Sequence, residues 1–346
     1  MINPHGESIG VIVDETTKVG EARRRTSWLA GQLGFDDTAQ GKAALIVTEV
    51  ANNLLKHAGG GELIIQGLDD DSHGEGLEIF ALDSGRGIND VGQCLADGYS
   101  TAGSPGTGLG AINRLVDSLQ IYSNPGLGTV LWARVNRTPQ PKSRSEPTLE
   151  LGVVERAAPG EQLCGDGWAT NVRDGRTFVL MVDGLGHGSA AAQAAAEAVR
   201  VFRGHRAQEP NQIVESAHLA LRGTRGAALA IARLDPVRRE VRYAGVGNIS
   251  GVILDTTTGT STSMVSQNGT VGYTIRKIQT YEYPWNNDSL LLMHSDGVAT
   301  QWSLDRYPGL RQRHPSLIAG ALYRDYKRAR DDITVLAARL WTRGKS

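Results

Sequence analysis

Met181-Val182-Asp183-Gly184-Leu185-Gly186-His187-Gly188-Ser189 is the stretch on which the reading of this chain turns: an apolar run ends there in an acid, three glycines and a histidine. Phe178 to Val182 has the short, continuous apolar character of a buried strand, and Ala190 to Val199 is alanine-rich and helix-forming. Asp183 is therefore predicted at a strand-to-helix turn. Glycines at such a turn let carbonyl oxygens as well as a carboxylate face a hard cation. The stretch reads as a metal-binding strand end.

Outward from it, the same signature recurs on both sides. Gly165-Asp166 follows Cys164, Ser295-Asp296-Gly297 follows the apolar run Ser289 to Met293, and Asp331-Asp332 precedes Ile333-Thr334-Val335. One aspartate at a strand end is ordinarily a turn or cap residue. A whole set at predicted buried strands is hard to explain that way. If these acids converge, two carboxylates ~4 Å apart repel by roughly 4 kcal/mol at an effective dielectric of ~20, so the group calls for cations or raised pKa values. Oxygen-only ligands select Mg²⁺ or Mn²⁺, and a pair of such ions turns a water into a nucleophile for in-line attack on phosphorus. A Cys-x₅-Arg loop is absent from the sequence, and Cys164 reads as a small buried apolar residue.

The order Gly-Asp, Asp-Gly-x-Gly-His-Gly, Ser-Asp-Gly, Asp-Asp-x-Thr resembles the metal-dependent PPM serine/threonine phosphatases of the SpoIIE branch. Gly245-Val246-Gly247-Asn248-Ile249 and Asn268-Gly269-Thr270-Val271-Gly272 bring it nearest to the RsbX type. The resemblance covers about Leu149 to Leu340. It implies a β-sandwich flanked by helices with two Mg²⁺ or Mn²⁺ between the sheets. By that resemblance Asp183 bridges both metals with the Gly184 carbonyl beside it, Asp296 and Asp331 complete the shell, and Asp166 holds the second metal directly or through water. Asp332 is expected just behind the ligands, and His187 in a fixed role, either behind the ligands or in packing, with protonation of a leaving group as the alternative. Arg225 to Ala232 and Glu240 to Asn248 read as paired strands, with Ile249 to Leu254 continuing their sheet and Pro210 to Leu221 a helix.

In the first half, Ser8 to Asp14 reads as a strand and Val19 to Leu33 as an amphipathic helix with Trp28 and Leu29 on its apolar side. A second helix, about Asp37 to His57, carries Glu49 and Asn53, four apart and so on one face. Gly61 to Leu68 and Gly76 to Leu82 read as a hairpin ending in Asp83-Ser84-Gly85-Arg86-Gly87, and Ser104-Pro105-Gly106-Thr107-Gly108-Leu109-Gly110 leads into a helix to about Val116. Backbone amides of such a loop beside a helix start cradle phosphate.

An acid and an amide on one helix, then Asp-x-Gly-x-Gly, then a glycine-rich loop resembles the GHKL ATP-binding family. Gly98-Tyr99-Ser100-Thr101 and Asn113-Arg114-Leu115-Val116-Asp117 narrow this to the RsbT type of switch serine kinase. The resemblance spans about Ile9 to Val135 and implies a Bergerat-type α/β sandwich binding ATP and Mg²⁺. It assigns Asp83 to the adenine amino group, Asn53 to Mg²⁺ on the phosphates and Glu49 to the general base. Gly85, Gly87, Gly106, Gly108 and Gly110 would let backbone approach the nucleotide. His57 is given a structural role, and a phosphoacceptor histidine segment is not expected ahead of the domain. The stretch Asp90 to Gly103 is expected to be a short lid.

With 36 basic against 37 acidic residues and two cysteines in 346, the sequence gives no reason to expect nucleic acid, an anionic membrane or a disulfide framework, and a cytoplasmic setting fits best. The expected organisation, α/β (α+β) in class, is a kinase-like domain over 1–137, a polar, proline-rich linker over 138–148, a phosphatase domain over 149–341 and a tail over 342–346. Together the two resemblances imply a bifunctional switch acting on a STAS-type antagonist protein, in a sigma-factor or stress-signalling pathway. Two other readings of the first half stay open: an ATP sensor governing the phosphatase, or a module that sequesters a sigma factor.

Overall fold

The computed structural model describes residues 8–70, 74–95, 108–138, 148–206 and 208–341. The chain divides into two compact units whose break in sequence falls between Lys142 and Ser143. The expected linker residues 139–147, the Gly98 to Thr101 segment and most of the expected lid lie outside the described residues. Among the described residues no helix is long and apolar enough to cross a membrane.

The first unit runs β1 (Ser8–Val13), α1 (Thr16–Gln32), α2 (Asp37–Asn53), β2 (Gly61–Asp70), β3 (Gly74–Asp83), α3 (Val91–Leu95), α4 (Leu109–Leu115), β4 (Ser118–Asn124) and β5 (Gly128–Asn136). Its sheet has the order β1-β2-β3-β5-β4. Asp36 caps α2 by accepting the Ala39 N–H at 2.7 Å, which satisfies an otherwise orphaned first-turn amide. Ala43, Ile46, Val47 and Val50 recur at helical spacing and are buried against Leu63, Ile65, Ile79 and Ala133 of the sheet. α1 buries Val19, Ala22, Leu29 and Ala30, but Trp28 stands 50% exposed. The expectation that Trp28 shares the apolar side is corrected: the α-helical step of 3.6 residues per turn carries it off the stripe that Leu29 occupies. α2 also ends earlier than expected. After Asn53 the chain winds into a π-helical turn, Leu54–Ala58, closed by Gly59 at φ 75.

The second unit contains β6 (Thr148–Arg156), β7 (Asp166–Arg173), β8 (Arg176–Gly184), α5 (Ser189–Gly204), α6 (Pro210–Ala220), β9 (Ala227–Asp235), β10 (Glu240–Val246), β11 (Ser250–Asp255), β12 (Ser261–Ser263), β13 (Ser266–Gln267), β14 (Tyr281–Pro284), β15 (Ser289–His294), α7 (Pro315–Tyr326) and β16 (Ile333–Trp341). One sheet has the order β13-β10-β9-β8-β7 with β14 on β10, and the other β12-β11-β15-β16-β6. Val179, Met181, Ala230 and Tyr243 of the first sheet pack against Val153, Leu291, Met293 and Leu336 of the second. The alternate residues Leu180, Val182, Leu229 and Ile231 meet Ala194, Ala198, Phe202, Ile213 and Val214 of α5 and α6. Strands buried on both faces read as unbroken apolar runs for that reason.

β7 and β8 form a hairpin whose closing pair, Arg173 and Arg176, brackets Asp174 (φ 50) and Gly175 (φ 71). Two left-handed residues in a two-residue loop give the turn whose twist matches the flanking strands. The expectation that Ile249 to Leu254 continues the β9–β10 sheet is not met. β11 pairs instead with β12 and β15 in the opposite sheet, because the chain leaves β10 through Gly247 at φ 92, whose N–H donates to the Gln267 carbonyl.

α7 lies on β6 and β16, with its start pressed onto Gly152, where an added Cβ would stand 2.1 Å from the Ser316 nitrogen and 2.3 Å from the Pro315 carbonyl carbon. Gly152→Ala is expected to destabilise the second unit by about 1–3 kcal/mol through this overpacking. Urea unfolding of the full chain reads it as a lowered midpoint; an unchanged midpoint would mean that α7 lifts off β6 without cost.

Candidate functional site

The β7–β8 register sets Asp166 directly opposite Asp183, and the Gly184 N–H donates to the Gly165 carbonyl at 2.9 Å. On its other side β8 sets Asp183 opposite Ala228, a small neighbour. From the second sheet, Asp296 follows β15 and Asp331-Asp332 precede β16. These ends are fastened together: the Ser295 N–H donates to the Thr334 carbonyl at 3.1 Å, and Ser295 Oγ accepts the Thr334 N–H at 3.0 Å. The ends of both sheets thus converge on one group of acids. Glycines permit the approach, since a Cβ at Gly184 would fall 2.3 Å from the Ala191 carbonyl oxygen and one at Gly297 2.1 Å from that of Asp332.

The electrostatics follow from that convergence. Burial first, and then the charges of Asp166, Asp296, Asp331 and Asp332, push the Asp183 carboxyl up to about 8. Asp166 is also pushed up to about 8, mainly by burial; the nearby Ser295 and Thr334 hydroxyls favour its charged form and Asp332 and Glu155 oppose it. Those hydroxyls do not reach hydrogen-bond geometry, so both Asp166 oxygens are buried without a partner, as is Oδ2 of Asp332. The other Asp332 oxygen accepts the Ala158 N–H at 2.8 Å. Asp331 is raised by burial and then by Asp296, while Asp296 accepts from Asn248 Nδ2 at 2.7 Å. Among the described residues no three His, Cys, Asp or Glu side chains are drawn close enough to hold an ion as they stand. The carboxylates converge without closing on a point. Their orphaned buried oxygens and oxygen-only chemistry fit a hard divalent cation.

Around this group the sequence reading needs amendment. Of the two fixed roles expected for His187, packing is not met: its side chain is 61% exposed, with Nδ1 2.7 Å from Glu161 Oε1. Cys164 is only half-buried, and its thiol is pushed well up by burial and then by Glu155, Asp166 and Asp332, so it is held as a thiol. Glu155, missed entirely, is buried and pushed up to about 8 by desolvation and then by Asp332. Its signal was a charged residue directly following Leu151-Gly152-Val153-Val154 within a predicted strand. Asn248 had been read only as part of a motif.

In the first unit a cavity of about 830 Å³ is lined by Glu49, Asn53, Asp83, Gly87, Gly108 and Thr129, among others. Asp83 is nearly buried, and its Oδ1 accepts the N–H groups of Gly85 at 2.9 Å and Thr129 at 3.1 Å. Gly85 leaves no room for a Cβ, which would stand 2.8 Å from Ala58, and Gly87 adopts φ 75 with the Asn124 carbonyl oxygen 2.2 Å from where a Cβ would be. Glu49 is half-buried one turn before Asn53. Asn53 Nδ2 is buried without a hydrogen-bond partner. Gly108 is the N-cap of α4, its added Cβ 3.8 Å from Asn53 Oδ1, and Gly110 is buried within that helix. Gly106 lies outside the described residues. His57 also lines the cavity; its pKa is lowered by burial and then by Arg86 and Lys56. The unsatisfied amide and the cavity size fit a polar ligand of nucleotide dimensions.

Comparison with known proteins follows this division. Residues 12–135 match the family described as histidine kinase-like ATPase domain, and residues 173–341 the family described as stage II sporulation protein E (SpoIIE). Serine/threonine-protein kinase RsbT of Bacillus subtilis (strain 168) is 36% identical over 112 residues, 32% of this chain and 84% of RsbT. Phosphoserine phosphatase RsbX of the same organism is 26% identical over 150 residues, 43% of this chain and 75% of RsbX. A solved structure described as "The bacterial stressosome: a modular system that has been adapted to control secondary messenger signaling" is 31% identical with a TM-score of 0.51, covering 56% of this chain and 100% of that one. By its first half the chain belongs to the RsbT family of histidine kinase-like ATPase domains, and it joins to this a SpoIIE domain with RsbX homology, the architecture of a partner-switching regulator.

Proposed function

We propose that this protein is a bifunctional partner-switching enzyme, a PP2C-type protein serine/threonine phosphatase joined to a serine/threonine kinase. The observation that carries the reading is the convergence of Asp166, Asp183, Asp296, Asp331 and Asp332, with partnerless oxygens on Asp166 and Asp332. Left to themselves these acids would repel a phosphate ester carrying roughly −1.5 to −2 charges. Two Mg²⁺ or Mn²⁺ would be held by Asp183 and the Gly184 carbonyl with Asp296, Asp331 and Asp166. When bound, such ions offset the repulsion and make a water nucleophilic near neutral pH. Asp183 and Asp166 orient the donors from one sheet, Asp296 and Asp331 from the other, and Asn248 fixes the Asp296 carboxylate. In the reaction the water oxygen bonds to phosphorus, the bond from phosphorus to the serine or threonine oxygen breaks, and the water's proton balances the departing hydroxyl. Inorganic phosphate is released.

In the first unit Asp83 would accept from the adenine amino group and Asn53 would hold Mg²⁺ on the phosphates. Gly85, Gly87, Gly106, Gly108 and Gly110 let backbone close on the nucleotide. Glu49 takes the proton of the attacking hydroxyl, and positioning supplies most of what phosphoryl transfer requires. RsbT and RsbX homology supports a STAS-domain protein as target of both units in the cytoplasm, and their linkage raises the local concentration of each activity.

Metal binding by the acids should stabilise the full chain as Mn²⁺ or Mg²⁺ is titrated, by about 2.7 kcal/mol at a hundredfold excess over Kd, read as a rise in melting temperature. Asp183→Asn should lose most of that gain, whereas an equal gain in the variant would remove Asp183 from the metal shell. Intact-mass analysis of STAS-domain proteins incubated with ATP, Mg²⁺ and the Asp183→Asn variant tests the pair of activities. A phosphate that accumulates there and disappears when the parent protein is added is the expected result. Glu49→Ala should abolish the phosphate gain with ATP binding intact. ATP binding without transfer in the parent protein would reduce the first unit to a sensor.

A further inference from the structure

Arg225 lies in the loop that enters β9, and that loop is tied to the Asp183 turn. Ala227 and Ala228 pair with Gly184 and Asp183, and the Leu185 N–H donates to the Gly226 carbonyl at 3.0 Å. The backbone on either side of Arg225 is held. Thr224 Oγ1 accepts the Gly226 N–H at 3.0 Å and donates to the Leu221 carbonyl at 2.8 Å. Gly226 adopts φ 75, with Val271 and Tyr273 each 2.7 Å from where its Cβ would be. From this support the Arg225 side chain reaches the glycine loop, so that Nη1 stands 3.0 Å from an added Cβ at Gly186. Gly186 itself has φ 87.

The arginine is exposed, and among the described residues it makes no hydrogen bond or ion pair. Other arginines of the same sheet behave differently. Arg176 pairs with Asp235, Arg233 with Glu209 and Glu240, and Arg242 with Glu209. A guanidinium resting against the glycine loop that follows Asp183, and bound to no carboxylate, retains its fork of donors for an outside anion. Its planar geometry matches two oxygens of a phosphoryl group.

We propose that Arg225 binds the phosphoryl group of the substrate in the second unit, gripping non-bridging oxygens that stay on phosphorus while its bond to the ester oxygen breaks. This rests on the phosphatase reading above. Arg225 exchanges no proton and forms no covalent bond; it sets affinity for phosphate monoesters and for the phosphate released.

The test uses the full chain with Mn²⁺, para-nitrophenyl phosphate as substrate and inorganic phosphate as product inhibitor. Arg225→Ala is expected to raise both KM and the phosphate inhibition constant by about tenfold or more, the loss of one charge-assisted contact, with kcat within about threefold of the parent. Arg225→Lys should fall between. KM and inhibition constant within about twofold of the parent, or a loss confined to kcat, would overturn the proposal. If the parent does not hydrolyse the ester, the phosphatase reading fails on that ground, and Arg225 is judged by melting. A phosphate-induced stabilisation of the parent that Arg225→Ala lacks upholds phosphate binding, and an equal shift in the variant, or none in the parent, overturns it.

Discussion

Two carboxylates face each other across one β-ladder, Asp166 against Asp183, and the second unit is built around holding that unfavourable pair in place. Like charges directly opposite on a sheet weaken it, and here Asp296, Asp331 and Asp332 from the opposing sheet add to the repulsion. Pinning these acids against their repulsion falls to the packing around them. The apolar core between the sheets holds the strands, the reciprocal Ser295–Thr334 contacts fasten the second pair of ends, and glycines at 184 and 297 let backbone approach where no side chain fits. Local rules are broken at the site and satisfied around it, as expected where function competes with stability.

The first unit handles its polar groups in another way. Its cavity is already open, and Asp83 is fixed by two backbone donors rather than surrounded by like charges. The irregularity falls on the helix that carries Glu49 and Asn53. Immediately after Asn53 the winding widens into a π-helical turn, and the amide of Asn53 is left without a partner. Such turns recur at functional sites, and this one ends the regular helix at the residue the reading assigns to the phosphates.

Most of the fold was legible because its strands are apolar on both faces or alternate cleanly, and because glycine and aspartate punctuate their ends. Ser289 to Met293 and Thr148 to Arg156 are examples that the structure reproduces. The acids at the strand ends were legible for the same reason, since a charge ending an apolar run is conspicuous. Sequence spacing did not reveal pairing between distant segments. Whether Ile249 to Leu254 joined its neighbour's sheet or the opposite one depended on a single backbone dihedral at Gly247, and the helix-face position of Trp28 on a rotation of one residue. Glu155 and Arg225 were passed over because each sits in or beside a strand, where a lone charge has no periodic signature. Their neighbours, Asp332 for one and the Gly186 loop for the other, come from elsewhere in the chain.

The Asp174-Gly175 turn closes the hairpin at the end opposite the acids, with the pairing running unbroken from Arg173–Arg176 to Asp166–Asp183. Because side chains alternate faces along a strand, adding or removing one residue in either arm would send one of those aspartates to the far side of the sheet. The hairpin therefore works as a ruler with a parity rule: it can lengthen or shorten only by matched steps that keep both acids on the same face. Length variation among descendants of this chain is thus constrained at hairpin positions far from the acids themselves, where a single-residue indel in one arm would be as damaging as the loss of an acid.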